Sequence, residues 1–168
     1  MKIEQISDLP IVYMRRTGAY GEENQQLMAA FKHWMTYNNT SQDNLLTDSA
    51  IILGIIHDDP ALVSPEACRY DTALVLSEQQ EIDDACVQKG MLQGGNYAVF
   101  TIDHTAEAMN RAWQDIFTEL TEACYQLDEA RPIIERYTKS MLENTFVKFA
   151  CLCRGRSSIF NDQIRKFV

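Results

Sequence analysis

The chain has 168 residues, of which 46% are hydrophobic and 23% charged, and its formal net charge at pH 7 is −9. This length and apolar content predict one globular domain, and no apolar run approaches the roughly 18 residues that a membrane-spanning helix needs. Because nucleic-acid binding depends on neutralising phosphates with lysine and arginine, so acidic a chain is expected not to bind nucleic acid directly.

The first half of the chain predicts the order strand, helix, strand, strand. Ile11–Arg15 is expected as a strand, and the turn Gly18–Gly21 leads into a helix from about Glu22 to Tyr37. The apolar residues of this helix recur at the three- and four-residue spacing of one helix face. Two further strands are expected to complete this half, the nearly continuous apolar run Ala50–Ile56 and the segment Arg69–Leu76.

The second half predicts the same order. A strand over Tyr97–Ile102 is followed by a helix with Thr105 as its N-cap, and then by the strands Ile133–Tyr137 and Phe146–Leu152. The helix is indicated by a stripe of apolar residues with steps of three and four, namely Met109, Ala112, Trp113, Ile116, Phe117, Leu120 and Cys124.

This duplicated order predicts an α+β fold, a tandem strand-helix-strand-strand repeat with pseudo-two-fold symmetry. We expect an antiparallel sheet with both long helices packed on one face and a cleft between the two halves. The predicted domain covers residues 1–152, with repeats at about 1–76 and 90–152. Residues 153–168 are expected as a separate C-terminal tail of unknown role. This tail is basic, through Arg154, Arg156, Arg165 and Lys166 against a single Asp162.

The cysteines and the first residues of the chain both indicate the cellular compartment. Cys68, Cys86, Cys124, Cys151 and Cys153 form no CxxC pair and have no neighbouring histidine. We interpret them as reduced, mostly packed thiols, and we expect no metal site and no cofactor. The first six residues, MKIEQI, are too polar for a secretory signal, so a cytoplasmic protein is expected.

A carboxylate in the middle of a predicted strand is the most informative candidate for a site. Alternation of side chains along Ile133–Tyr137 places Ile133, Glu135 and Tyr137 on one face. A glutamate on a buried face is costly unless a partner pairs with it. Three readings remain open: an internal group satisfies Glu135, the site awaits an external cation, or Glu135 lies at an edge and reaches water.

Several segments together resemble the GyrI-like (gyrase-inhibitory-like) small-molecule-binding domain. They are Gly94–Phe100, the helix with Ala112-Trp113 and Ile116-Phe117, the strand ending Ile134-Glu135-Arg136-Tyr137, and Asp58–Pro60 followed by Cys68–Thr72. The resemblance spans about Pro10 to Leu152. This family includes the effector-sensing half of AraC/XylS-type and MerR-type transcription activators, and also stand-alone proteins.

The resemblance implies an aromatic pocket between the two halves, with a glutamate on the penultimate strand that receives lipophilic cations. Glu135 matches this glutamate, Trp113 matches the helix aromatic, and Tyr137 lies beside the glutamate. The further candidate ligand-binding residues are Tyr97, Phe100, Tyr13 and Phe117. Because Tyr97 and Phe100 lie on opposite faces of their strand, at most one of them lines the cleft.

The expected function is that of a stand-alone protein that binds lipophilic cations such as drugs, dyes and quaternary ammonium compounds. Two alternatives stay open. One is a small-molecule hydrolase in which Glu135 is the general base and Tyr137 or Tyr97 its proton partner. The other is a regulator that interacts with a protein partner, either gyrase or a transcription regulator.

Four polar or aromatic positions are expected to have structural roles as readily as functional ones. Asp71 is either a second acidic group of the site or the partner of Arg69 or Arg15. The histidines His57 and His104 are expected as solvated loop residues. Trp34 lies on the apolar stripe of the first helix, where a packed core ring is the commoner role.

Overall fold

The computed structural model describes residues 1–37, 44–77, 80–103, 105–138, 141 and 146–155. Within them the helices are α1 (Glu22–Tyr37) and α2 (Ala106–Glu122), with a short 3-10 turn at Pro65–Ala67. The strands are β1 (Lys2–Ile6), β2 (Leu9–Thr17), β3 (Ile51–Ile56), β4 (Arg69–Val75), β5 (Gln88–Leu92), β6 (Gly95–Asp103), β7 (Tyr125–Leu127), β8 (Ile133–Thr138) and β9 (Phe146–Gly155).

Eight of these strands form a curled sheet in the order β1-β6-β9-β8-β3-β4-β2-β5, and β7 pairs with the end of β9. Every one of these pairings is antiparallel. The predicted α+β architecture with an antiparallel sheet is therefore confirmed. The middle of the sheet is the pair β8 and β3, which brings a strand of the second half beside a strand of the first.

Both helices cover one face of the sheet. Register pairs Val12 with Leu74, Leu74 with Ile52 and Ile52 with Tyr137, so these four side chains lie on the same side. We call this side the helix face. All four belong to one buried cluster, which also contains Phe31, Trp34 and Met35 of α1 and Ala112, Ile116 and Leu120 of α2.

The other side of the sheet, which we call the opposite face, carries a second buried cluster. Its members come from strands alone and include Leu53, Ala73, Tyr97, Val99 and Ile134. Because side chains alternate along a strand, residues that are neighbours in sequence are divided between the two clusters. Burial on both sides explains why β3, with the sequence IILGII, is a nearly continuous apolar run rather than an alternating one.

The helix predictions agree with the structure except at one end, because α2 stops at Glu122, before the Cys124 of the predicted stripe. Helix α1 has the predicted bounds, Glu22–Tyr37. Helix α2 begins after Thr105, whose hydroxyl oxygen accepts a hydrogen bond from the Ala108 backbone N–H at 3.2 Å. This contact satisfies one of the free N–H groups at the start of a helix. No helix of the described residues is long and apolar enough to cross a membrane.

The sequence patterns missed three strands and ended a fourth too early. Strands β1 and β5 occupy the two ends of the sheet order, and their exposed, polar residues give no apolar run to recognise. Strand β9 continues to Gly155, where it pairs with β7, so the boundary placed before Cys153 is wrong by three residues. Cys153 is 4% exposed and belongs to the core. His104 and residues 156–168 lie outside the described residues.

Candidate functional site

Glu135 of β8 lies on the helix face with only 8% of its surface exposed. Its Oε2 atom accepts hydrogen bonds from the hydroxyl groups of Tyr137 at 3.0 Å and Tyr70 at 3.2 Å. Both tyrosines are buried. We call Glu135, Tyr70 and Tyr137 the glutamate–tyrosine cluster. The two donors come from different halves of the chain, since Tyr70 belongs to β4 and Tyr137 to β8.

A glycine on the strand between them makes this contact possible. Gly54 of β3 pairs with Thr72 of β4 on one side and with Glu135 of β8 on the other. A methyl group at Gly54 would lie 2.6 Å from Glu135 Oε2 and would overlap the Tyr70 hydroxyl oxygen. Tyr70 therefore reaches Glu135 across β3 because no side chain stands between them.

The buried position of Glu135 disfavours the charged form of its carboxyl group. Burial raises its pKa, and the hydrogen bonds from Tyr137 and Tyr70 offset part of this effect. Burial and the neighbouring Glu135 charge also raise the pKa values of both tyrosines, so they remain protonated donors. Among the described residues no lysine, arginine or histidine forms an ion pair with Glu135.

The surroundings of the cluster are apolar or weakly polar. Phe149 pairs with Glu135 in the β8–β9 ladder and is 1% exposed, and Phe100 is the next residue across, on β6. The hydroxyl of Thr72 is buried without a hydrogen-bond partner in the part of the chain that the structure describes. The same part contains no group of three histidine, cysteine or acidic residues that could hold a metal ion. The arrangement therefore places one carboxylate, held by two tyrosine hydroxyl groups, beside aromatic side chains.

The family is shown by comparison with known proteins. The model of the GyrI-like small-molecule-binding domain matches residues 1–147. The chain belongs to the GyrI-like family. A GyrI-like relative is YosT, an SPbeta prophage-derived protein of Bacillus subtilis (strain 168) whose name assigns it provisionally to the transcriptional regulators. It is 41% identical over 143 residues, which are 84% of this chain and 91% of YosT.

Solved structures share the GyrI-like fold at low sequence identity. The C-terminal domain of EcmrR has a TM-score of 0.67 and 7% identity, covering 92% of this chain and 96% of that domain. EcmrR has also been solved in a complex with DNA, where the match covers 57% of the EcmrR chain. SAV2435, solved with bound tetraphenylphosphonium, has a TM-score of 0.56 and 15% identity, covering 92% of this chain and 93% of that one.

Five of the predicted site residues fall on the helix face or on α2 of this GyrI-like domain. Glu135, Tyr137 and Phe100 belong to the helix face, as their ladders with Gly54, Ile52 and Phe149 require. Phe117 on α2 is 47% exposed, because it lies beside the buried stripe of Ala112, Ile116 and Leu120 rather than on it. Trp113 is part of α2, and its side chain lies outside the described residues.

Tyr13 and Tyr97 lie on the other side of the sheet. Tyr13 pairs with Ala73, which belongs to the cluster of the opposite face, and Tyr97 is itself a member of that cluster. The prediction that these residues share a pocket with Glu135 is therefore wrong, because the sheet separates them from the carboxylate. Of the two aromatic candidates on β6, Phe100 lies on the helix face and Tyr97 lies on the opposite face.

Asp71 also faces away from the glutamate–tyrosine cluster. Its two carboxylate oxygens accept hydrogen bonds from Arg15 Nε at 2.6 Å and Arg15 Nη2 at 2.7 Å, and His57 Nε2 lies 2.6 Å from Oδ2. The pairing with Arg15 is confirmed, whereas Arg69 pairs with Asp58. The prediction of a solvated His57 is wrong, since its side chain is only 20% exposed.

Tyr70 and Gly54 are the residues of the site that sequence reasoning missed. A glycine inside the apolar run Ile51–Ile56 is a signal of close approach by another group, although it does not say which group approaches. Tyr70 gave no signal of its own, because its contact with Glu135 depends on the order β4-β3-β8 in the sheet.

Proposed function

We propose that this GyrI-like domain binds lipophilic organic cations at the carboxylate of Glu135. The observation that carries the proposal is a buried carboxylate with two tyrosine donors and no cationic partner among the described residues. Such a carboxylate is poorly stabilised while it is charged, and a ligand cation placed beside it recovers Coulomb energy in a site of low dielectric constant. Tetraphenylphosphonium, the molecule bound in the SAV2435 structure, is a cation of this class.

Aromatic surface supplies the rest of the binding energy in this proposal. A desolvated cation–π contact contributes about 0.5–2 kcal/mol, and burial of apolar ligand surface contributes about 25 cal/mol per Å². We propose Tyr137, Phe100, Trp113 and Phe117 as the aromatic residues that a ligand contacts. Because these terms need few directional bonds, the domain should accept many different cations, as a multidrug-binding protein does.

The strand order supports a ligand position between two related halves. The elements β2-α1-β3-β4 and β6-α2-β8-β9 have the same order, and the sheet places β3 of one unit beside β8 of the other. We propose that these units are a pseudo-two-fold repeat and that the ligand cleft opens between α1 and α2, above this central strand pair. Glu135 and Gly54 both lie on that pair.

We further propose that ligand binding serves regulation in the cytoplasm. The regulatory name of YosT and the presence of this fold as a domain of EcmrR support this role. In the proposed mechanism a protein partner, such as a transcription regulator of the AraC/XylS type or gyrase, detects the occupied state. The domain by itself makes no direct contact with nucleic acid.

The test is the removal of one negative charge without a change of shape. Glu135→Gln should weaken binding of tetraphenylphosphonium by about 1.5–3 kcal/mol, the range for hydrogen bonds to charged groups, while neutral triphenylphosphine oxide binds almost as before. Glu81→Gln is the matched control, since it removes an exposed charge elsewhere and should leave both affinities unchanged. Titration calorimetry measures both ligands, and equal weakening of the two in Glu135→Gln would contradict the proposal.

A further inference from the structure

The opposite face of the sheet contains a cavity of about 280 Å³. Its apolar lining includes Ile11, Ile55 and Leu92, and the rings of Tyr13 and Tyr97 line it as well. This cavity contains neither Glu135 nor any residue of the two long helices. The two tyrosines that do not share the site of Glu135 are therefore brought together here.

The two rings are held in place by hydrogen bonds at their hydroxyl groups. Tyr13 donates to the side-chain oxygen of Gln88 at 3.0 Å, and Tyr97 donates to the backbone oxygen of Gln93 at 2.7 Å. The Arg15 guanidinium carbon lies 5.2 Å from the centre of the Tyr13 ring, within the range of a cation–π contact. A ligand ring would therefore meet aromatic surfaces that are already ordered, which reduces the entropy lost on binding.

The charges that line the cavity do not cancel. Asp71 is compensated within the protein, because Arg15 donates to both of its oxygens and His57 lies against one of them. Arg131 also lines the cavity and forms no ion pair with any described residue. Burial raises the pKa of Tyr97 and the positive charge of Arg131 opposes this effect, which agrees with a guanidinium close to the phenol.

We propose that this cavity is a second ligand site, and that it binds a small aromatic carboxylate. The carboxylate would pair with Arg131, since a guanidinium presents donors in a planar fork that matches two carboxylate oxygens. The ring would lie against Tyr13, Tyr97 and Ile55. A volume of about 280 Å³ is just below the usual range for ligand pockets, so one or two fused rings are the appropriate size.

The experiment uses 2-naphthoate as the probe and its uncharged amide, 2-naphthamide, as the matched neutral ligand. Amide chemical shifts of Tyr13, Gly90 and Tyr97 in the full chain should report saturable binding of 2-naphthoate. Arg131→Gln should weaken 2-naphthoate by about tenfold or more and leave 2-naphthamide within about twofold. Arg111→Gln is the matched control, because it removes an equal charge from an exposed position on α2 and should change neither affinity.

The same titrations identify the results that would overturn the second site. The proposal is wrong if 2-naphthoate causes no saturable chemical-shift change in the low millimolar range. It is also wrong if Arg131→Gln and Arg111→Gln weaken 2-naphthoate binding equally. A third variant tests independence from the proposed cation site. Glu135→Gln should retain full affinity for 2-naphthoate. Loss of 2-naphthoate affinity in this variant would mean that the probe binds on the helix face. The outcome does not depend on whether tetraphenylphosphonium binds.

Discussion

Gly54 and Glu135 are register partners at the middle of the sheet, and the missing side chain of the glycine gives the glutamate its space. Any side chain at position 54 would stand where the Tyr70 hydroxyl meets Glu135 Oε2. The candidate site therefore depends on a residue that offers no functional group. This dependence can be tested separately from the charge of Glu135.

Gly54→Ala is expected to damage both stability and cation binding. The added methyl group must push Tyr70 and Glu135 apart in a packed region, which costs about 1–3 kcal/mol of unfolding free energy. Denaturant unfolding measures this loss, and calorimetry with tetraphenylphosphonium measures the affinity. Gly90→Ala is the matched control, because the atoms nearest to its methyl group would be side-chain atoms of Tyr13 and Ile11, on the opposite face. Unchanged cation affinity in Gly54→Ala would show that the geometry of the cluster is not needed.

The raised pKa of Glu135 predicts a pH-dependent penalty on the empty protein. In the unfolded chain this carboxyl has a pKa near 4.5, and folding raises it. The folded state therefore holds the proton more tightly, so stability falls as the pH rises from the unfolded pKa through the folded one. The loss is about 1.4 kcal/mol for each pH unit between the two pKa values.

Glu135→Gln should remove this penalty. Relative to the unmodified protein, the variant is expected to gain unfolding free energy as the pH rises from the unfolded pKa of 4.5 towards the raised folded pKa. Urea unfolding of both proteins across this interval measures the difference. The carboxylate of Asp71, whose pKa is lowered because hydrogen bonds from Arg15 and His57 outweigh burial, is common to both proteins and cancels. A difference that is independent of pH would contradict the raised pKa.

Tryptophan fluorescence tests the helix aromatic of the proposed cleft. Trp34 is 8% exposed, stacks near Phe31 with ring centres 5.3 Å apart, and donates its indole N–H to Asp84 Oδ2 at 3.0 Å. We therefore expect a planar cation to quench emission from Trp113 rather than from Trp34. Trp113→Phe should abolish most of the quench, and Trp34→Phe should retain it. The reverse result would place Trp34 at the ligand.

The acidic charge predicts no stable complex with duplex DNA. Phosphate contacts depend on clustered lysine and arginine, whereas this chain has a net charge of −9. Fluorescence anisotropy with a labelled duplex at about 0.15 M salt should show no saturable binding. Binding that weakens steeply with added salt would contradict the prediction. Repeating the titration without residues 156–168 would then show whether the basic C-terminal segment is responsible.

Local periodicity in the sequence located both helices and six of the nine strands that the structure describes. The spacing of apolar residues located α1 and α2, Thr105 marked a helix start, and alternation in Ile133–Tyr137 put Glu135 and Tyr137 on one face. These properties are local, because they follow from the 3.6-residue and two-residue periods of the backbone. The order of elements and the resemblance to the family also indicated the sheet with two helices.

The contacts between side chains of different strands follow from the tertiary structure alone. The contact of Tyr70 with Glu135 joins residues 65 positions apart, and it exists because β3 lies between β4 and β8 and carries Gly54 there. In the same sheet, Tyr13 and Tyr97 lie on the opposite face, away from Glu135. Residue type and spacing do not encode such contacts, because they depend on how distant strands are ordered and registered in the sheet.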